Sequence, residues 1–142
     1  NVLGFADANS REMDEKTPHN VIDIMEEQKA ITNMGGTMRL GAYECVLQKG
    51  SKVFEAYGQE HIQERHRHRY EFNNDYRKAL TDAGLVVSGT SPDDYIVETV
   101  EIPENDFYIG VQFHPEFKSR PNKAHPLFLG LVGAALKKAE GK

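Results

Sequence analysis

The chain has one cysteine, Cys45, in 142 residues. A single thiol excludes an intramolecular disulfide framework and fits a reducing, cytoplasmic setting. No apolar run approaches the ~18 residues that a membrane-spanning helix needs, and nothing at the start resembles a signal peptide. Positive charge is not in excess. The formal net charge is −5, which argues against non-specific attachment to nucleic acid or membrane. Internal repeats, low-complexity tracts and linkers are absent as well. With 39% hydrophobic residues the chain can bury one core but hardly two, so a single domain is expected.

What is present reads as strands with covering helices, an α/β sheet protein with some antiparallel pairing. Residues 6–20 are polar and turn-rich and read as irregular. Val21 to Met25 is a short apolar run of undecided type, and Asn33-Met34-Gly35-Gly36 breaks the chain before a strand over Met38 to Leu47. A short helix is expected at Val53 to Tyr57, and one strand across residues 62–72. Asn73-Asn74 caps a second helix whose buried stripe is Tyr76, Ala79, Leu80 and Ala83, with Gly84 as its stop. Further strands start at Leu85 and run from Tyr95 to Ile102 and from Phe107 to Phe113. Pro126 opens the last helix, where Leu127, Phe128, Leu131, Val132 and Ala135 have the spacing of a face packed on the sheet. Val2-Leu3-Gly4-Phe5 reads as the tail of a helix ending in a left-handed glycine. The chain is therefore expected to be the later part of something larger.

The chemistry concentrates in Gly110-Val111-Gln112-Phe113-His114-Pro115-Glu116-Phe117. Side chains at i and i+2 of an extended chain point the same way, so a strand end would hold the His114 base beside the Glu116 carboxylate. A neutral imidazole can take a proton from a thiol or hydroxyl, and a carboxylate on its other nitrogen fixes the tautomer. The plain alternative is a strand-end histidine in a surface salt bridge. Phe113 and Phe117 would anchor the segment.

Glu64-Arg65-His66-Arg67-His68-Arg69-Tyr70-Glu71 is the second unusual stretch. In a strand, Arg65, Arg67 and Arg69 share one face and His66, His68 and Tyr70 the other. Such a strand must be solvated, neutralised by carboxylates, or used to hold an anion, since unpaired burial is too costly. His66 and His68 lack the third ligand and spacing of a zinc site, and no metal is expected. Cys45 shares a strand face with Tyr43 and Leu47 and lacks the glycine-flanked turn that exposes a nucleophile, so it reads as a structural thiol. Glu12 reads as a lone acid in a polar loop.

Gln112-Phe113-His114-Pro115-Glu116-Phe117 resembles the histidine–glutamate motif of the class I glutamine amidotransferases. The Glu64 to Asn74 block is more specific and resembles the CTP synthase family. So do Asp7-Ala8-Asn9-Ser10, the Asn33 to Gly41 segment and His125-Pro126-Leu127-Phe128, all in the right order. The resemblance implies a flavodoxin-like, three-layer α/β class I glutaminase fold with a mixed sheet, of which residues 1–142 are the C-terminal part. It implies that His114 is the triad base and Glu116 its orienting carboxylate. Glu12 would hold the α-amino group of glutamine and Arg69 its α-carboxylate. The nucleophile elbow, the oxyanion segment and the synthetase domain have no counterpart here, so the chain alone is expected not to hydrolyse glutamine. The implied partners are those missing parts and further copies of the intact enzyme. The implied cofactors, ATP and Mg²⁺, belong to the synthetase domain, with none expected in this chain. Uncovered apolar surface would favour association. Another triad glutaminase, or an anion- or nucleotide-binding module using Arg65, Arg67 and Arg69, are the competing readings.

Overall fold

A computed structural model describes residues 2–24 and 38–141. The expected break at Asn33 to Gly36, and Met25, lie outside the described residues. Eight strands are described: β1 (Ala8–Ser10), β2 (His19–Ile24), β3 (Arg39–Leu47), β4 (His61–His68), β5 (Tyr70–Phe72), β6 (Val86–Thr90), β7 (Val97–Glu101) and β8 (Ile109–Val111). Three helices accompany them: α1 (Lys52–Tyr57), α2 (Arg77–Asp82) and α3 (Pro126–Ala139).

The strands form two sheets. One is mixed, ordered β1-β2-β5, with β1 parallel and β5 antiparallel to β2. The other is antiparallel, ordered β4-β3-β6-β7-β8. Residues 6–20 are thus not all irregular, because β1 and the start of β2 fall within them. The strand expected across residues 62–72 is two strands in different sheets. The chain bends at Arg69 and leaves one sheet for the other.

β4 and β8 stand at opposite ends of the strand order, yet the sheet curls until they meet. The His114 N–H, just past β8, donates to the Arg65 carbonyl on β4 at 2.9 Å. Gly89 permits part of this curl. A Cβ there would lie 2.6 Å from Thr99 Oγ1 and 2.9 Å from Cys45 Sγ, well inside contact distance, and the β6–β7 register shifts on both sides of it.

The core is Cys45, Leu47, Val53, Ile62, Phe113 and Leu127, with α1 and α3 covering the inner face. α1 is capped by the Ser51 hydroxyl, which accepts the Phe54 N–H, and closes at Gly58, where φ is +66°. The buried Glu101 carboxylate accepts the free N–H groups of Lys52 and Val53, satisfying donors that the first turn leaves orphaned.

Two expected helix faces differ from the structure. The chain after Asn73 begins with a 3-10 turn over Asn74–Tyr76, and α2 buries no residue fully. In α3 only Leu127 of the expected stripe is buried; Phe128, Leu131 and Val132 face outward, with Leu131 and Val132 53% and 56% exposed, and Ala135 is exposed too. The inward side carries small residues instead. Gly130 lies so close to the Phe107 ring that a Cβ would sit 2.5 Å from it.

Candidate active site

His114 is delivered by the end of β8 and held in extended geometry (φ −110°, ψ 92°) at the start of a 3-10 turn over Pro115–Phe117. Its Nδ1–H donates to Glu116 Oε1 at 2.7 Å. The expectation of a shared strand face is corrected here: β8 stops at Val111, and the tight turn folds the carboxylate back onto the ring. Phe113 is buried in the core, and Phe117 stacks on the imidazole at 4.9 Å. The hydrogen bond from His114 holds the Glu116 carboxyl below its usual range. With Nδ1 committed to Glu116, Nε2 makes no hydrogen bond among the described residues. Chemically the arrangement can serve as an oriented general base, half exposed at the molecular rim.

Cys45 cannot partner this base. It is 0% exposed in the core, and burial, reinforced by the nearby Glu98 and Glu64 carboxylates, pushes its thiol up to about 12. A thiol held that way is almost entirely protonated near neutrality.

β4 separates the charges of the basic stretch by its pleat. Arg65 and Arg67 are exposed on the outer face, while Glu64 and His66 are buried on the inner one. Inward, each charge meets its opposite. His66 Nε2 meets Glu98 Oε2 at 2.7 Å, and His68 Nε2 meets Glu71 Oε1 at 3.0 Å. Glu64 Oε1 accepts from the Tyr57 hydroxyl at 3.0 Å and from His125 Nε2 at 3.1 Å. Lys118, just past the turn that holds His114, reaches the same oxygen at 3.5 Å and the Gln63 carbonyl. Arg65, Arg67 and Arg69 make no ion pair among the described residues.

Glu12 and Arg69 lie far apart in sequence, but the small sheet brings their ends together. β1 runs parallel to β2, with Ser10 opposite Ile22, while β5 runs against it, with Tyr70 opposite Ile24. Glu12 just past β1 and Arg69 just before β5 therefore leave the same end of the sheet, on either side of β2. Two strand spacings put their backbones about 10 Å apart. Both are exposed, and the Glu12 N–H is tied to the Ser10 hydroxyl. An acid and an arginine on such a rim suit the ammonium and carboxylate of an α-amino acid. Sequence reasoning on residue types alone assigned Glu12 to solvent and could not choose among the three arginines. It also missed Glu98 and His125, whose buried partners lie more than thirty residues away.

A family model described as glutamine amidotransferase class-I matches residues 6–134. The chain is 70% identical over 138 residues to the CTP synthase of Bacteroides fragilis, covering 97% of this chain and 26% of that protein. It is 58% identical over 139 residues to the CTP synthase of Methanosphaera stadtmanae, covering 98% of this chain and again 26% of the relative. The chain thus spans about a quarter of the length of these curated relatives. Among solved structures, the glutaminase domain of Trypanosoma brucei CTPS with bound acivicin superimposes with a TM-score of 0.88 at 40% identity, over 96% of this chain and 53% of that one. A putative GMP synthase component from Thermoplasma acidophilum gives a TM-score of 0.56 at 17% identity, over 73% of this chain and 47% of that one. That last likeness concerns the fold only.

Proposed function

Since the chain belongs to the glutamine amidotransferase class-I family, we propose that it carries the base, the orienting acid and the substrate clamp of a glutaminase that feeds ammonia to CTP synthesis. The observation that carries this reading is the 2.7 Å His114–Glu116 pair with its second ring nitrogen left open. The nucleophile is a cysteine other than Cys45, supplied by a part of the enzyme outside these residues.

In this mechanism His114 Nε2 takes the thiol proton and the thiolate attacks the side-chain amide carbon of glutamine. Collapse of the tetrahedral adduct breaks the C–N bond, and His114 passes its proton to the departing ammonia, leaving a thioester. His114 then removes a proton from water, whose attack releases glutamate and returns the thiol. Glu116 fixes the tautomer and stabilises the imidazolium in both halves. Glu12 and Arg69 contribute orientation rather than bond-breaking. The ammonia is consumed in a synthetase domain, where ATP and Mg²⁺ drive amination of UTP to CTP. That domain is this chain's covalent partner in a cytoplasmic homo-oligomer.

The test compares two nitrogen sources in the full-length enzyme. His114→Ala should abolish glutamine-dependent CTP formation and leave ammonia-dependent formation intact. Equal loss of both, or survival of the glutamine reaction, would overturn the reading. Glu12→Ala and Arg69→Ala should act mainly on KM for glutamine.

A further inference from the structure

Beneath the His114–Glu116 pair lies a set of buried charges that the mechanism above leaves idle. Glu98 on β7 and His66 on β4 have side chains 0% exposed. Glu98 Oε2 accepts from His66 Nε2 at 2.7 Å, and Glu98 Oε1 faces the Arg39 guanidinium at 2.5 Å. The other imidazole nitrogen, Nδ1, lies 2.9 Å from the Glu64 carbonyl oxygen. Acceptor oxygens thus face both ring nitrogens. Arg39 reaches on to Glu71 Oε1 at 3.4 Å. Two carboxylates, a guanidinium and an imidazole thus meet in the interior and join the two sheets. Such a set is costly to bury, and removing one member strands the others.

The segment that carries His114 rests on this set at three consecutive residues. The Gln112 N–H donates to the Glu98 carbonyl at 2.9 Å. The Phe113 ring packs edge-on against the His66 ring at 5.9 Å. The His114 N–H donates to the carbonyl of Arg65, the residue before His66, at 2.9 Å. β4 and β7 are not neighbours in the sheet, since β3 and β6 lie between them. The Glu98–His66 pair bridges them directly, side chain to side chain, beneath residues 112–114.

We propose that Glu98, acting through His66, is a positioning residue for His114: the buried pair fixes the separation of the two strands from which the catalytic base is hung. This rests on the glutaminase reading. The pair touches no substrate; it sets the height and direction of the imidazole.

The test again uses the full-length enzyme. Glu98→Gln keeps the shape but turns an amide NH2 toward Arg39 or His66. kcat for glutamine hydrolysis should fall on the order of 10²-fold, the scale of a ~1 Å misplacement. KM for glutamine and ammonia-dependent CTP formation should stay nearly unchanged. His66→Gln can still donate to Glu98 and should retain far more activity than His66→Leu. The double variant Glu98→Gln/His66→Leu should lose no more than the worse single variant. An unchanged kcat, a joint loss of both nitrogen sources, or losses that multiply in the double variant each overturn the proposal. Should Glu98→Gln fail to fold, the two His66 variants decide, and equal activity overturns it. His114→Ala in the same assay separates the claims. Survival of hydrolysis there sinks the glutaminase reading, whereas its loss beside a wild-type rate in Glu98→Gln sinks only the positioning role.

Discussion

Among the interactions that replacing His125 with alanine removes, two have sizes that can be worked separately. His125 precedes α3, and its Nδ1 accepts the Leu127 N–H at 3.3 Å, a side-chain cap. Losing a cap costs about 1 kcal/mol. Its Nε2 donates to the buried Glu64 carboxylate at 3.1 Å, both side chains being 2% exposed. A hydrogen bond to a charged group is worth roughly 1.5–3 kcal/mol. Tyr57 and Lys118 stay with Glu64 and keep that loss toward the lower end. The total is about 3 kcal/mol, a fall in Tm of about 10 °C for a chain of this size. His125→Asn separates the two parts, because asparagine caps well but is too short to reach Glu64. It should lose about 2 kcal/mol, and the difference between the variants should be the cap. Urea melts of wild type and both variants measure this. A loss under about 1 kcal/mol for His125→Ala, or asparagine as harmful as alanine, would refute the reasoning.

Three further outcomes follow from the packing and the charges. Gly130→Ala should destabilise by roughly 1–3 kcal/mol, as overpacking does, because the new methyl meets the Phe107 ring at 2.5 Å; a thermal melt equal to wild type would show that α3 can shift without penalty. Cys45, buried with its thiol pushed up to about 12, should resist a thiol reagent in the folded chain and react on unfolding in urea; fast labelling without denaturant would contradict its place in the core. Burial alone would raise the Glu98 carboxyl, but hydrogen bonds and charges from His66 and Arg39 outweigh it and hold the group below its ordinary range. Its contribution to stability is therefore present above the ordinary carboxylate range and is lost as pH falls through the lowered folded value. Stability of Glu98→Gln should depend on pH less steeply than wild type on the acid side, and parallel acid-unfolding curves would disprove this.

Local signals were strong where one residue sets the geometry. Pro126 opens α3, and Pro115 follows the histidine it helps to fix. Faces were harder to read. α3 is apolar nearly all round, so spacing could not say which side packs, and the structure turns Gly130 inward, where the lack of a side chain lets the helix approach Phe107. The strand across residues 62–72 failed because alternation continues through Arg69, and nothing in it marks a change of sheet. The pleat of β4 did predict opposite fates for arginines and histidines. The carboxylates that meet the two histidines, Glu98 and Glu71, were invisible because pairing between distant strands leaves no local pattern. Glu12 and Arg69 became candidates only through resemblance, since the sheet register that puts them at one end is not a property of either segment.

The bend at Arg69 makes β4 a ruler. One end of the measured length is the Arg65 carbonyl that holds His114, and the other is the arginine suited to a substrate carboxylate. Between them lies an unbroken stretch of backbone, about 13 Å if fully extended, whose length is set by covalent bonds. Breathing between the sheets can tilt this ruler but cannot stretch it. Asparagine is shorter than glutamine by one methylene, and inserting or deleting one residue here would move the mark by about 3.3 Å. Under the proposed role of Arg69, the residue count between Arg65 and Arg69 therefore sets the length of substrate this architecture accepts.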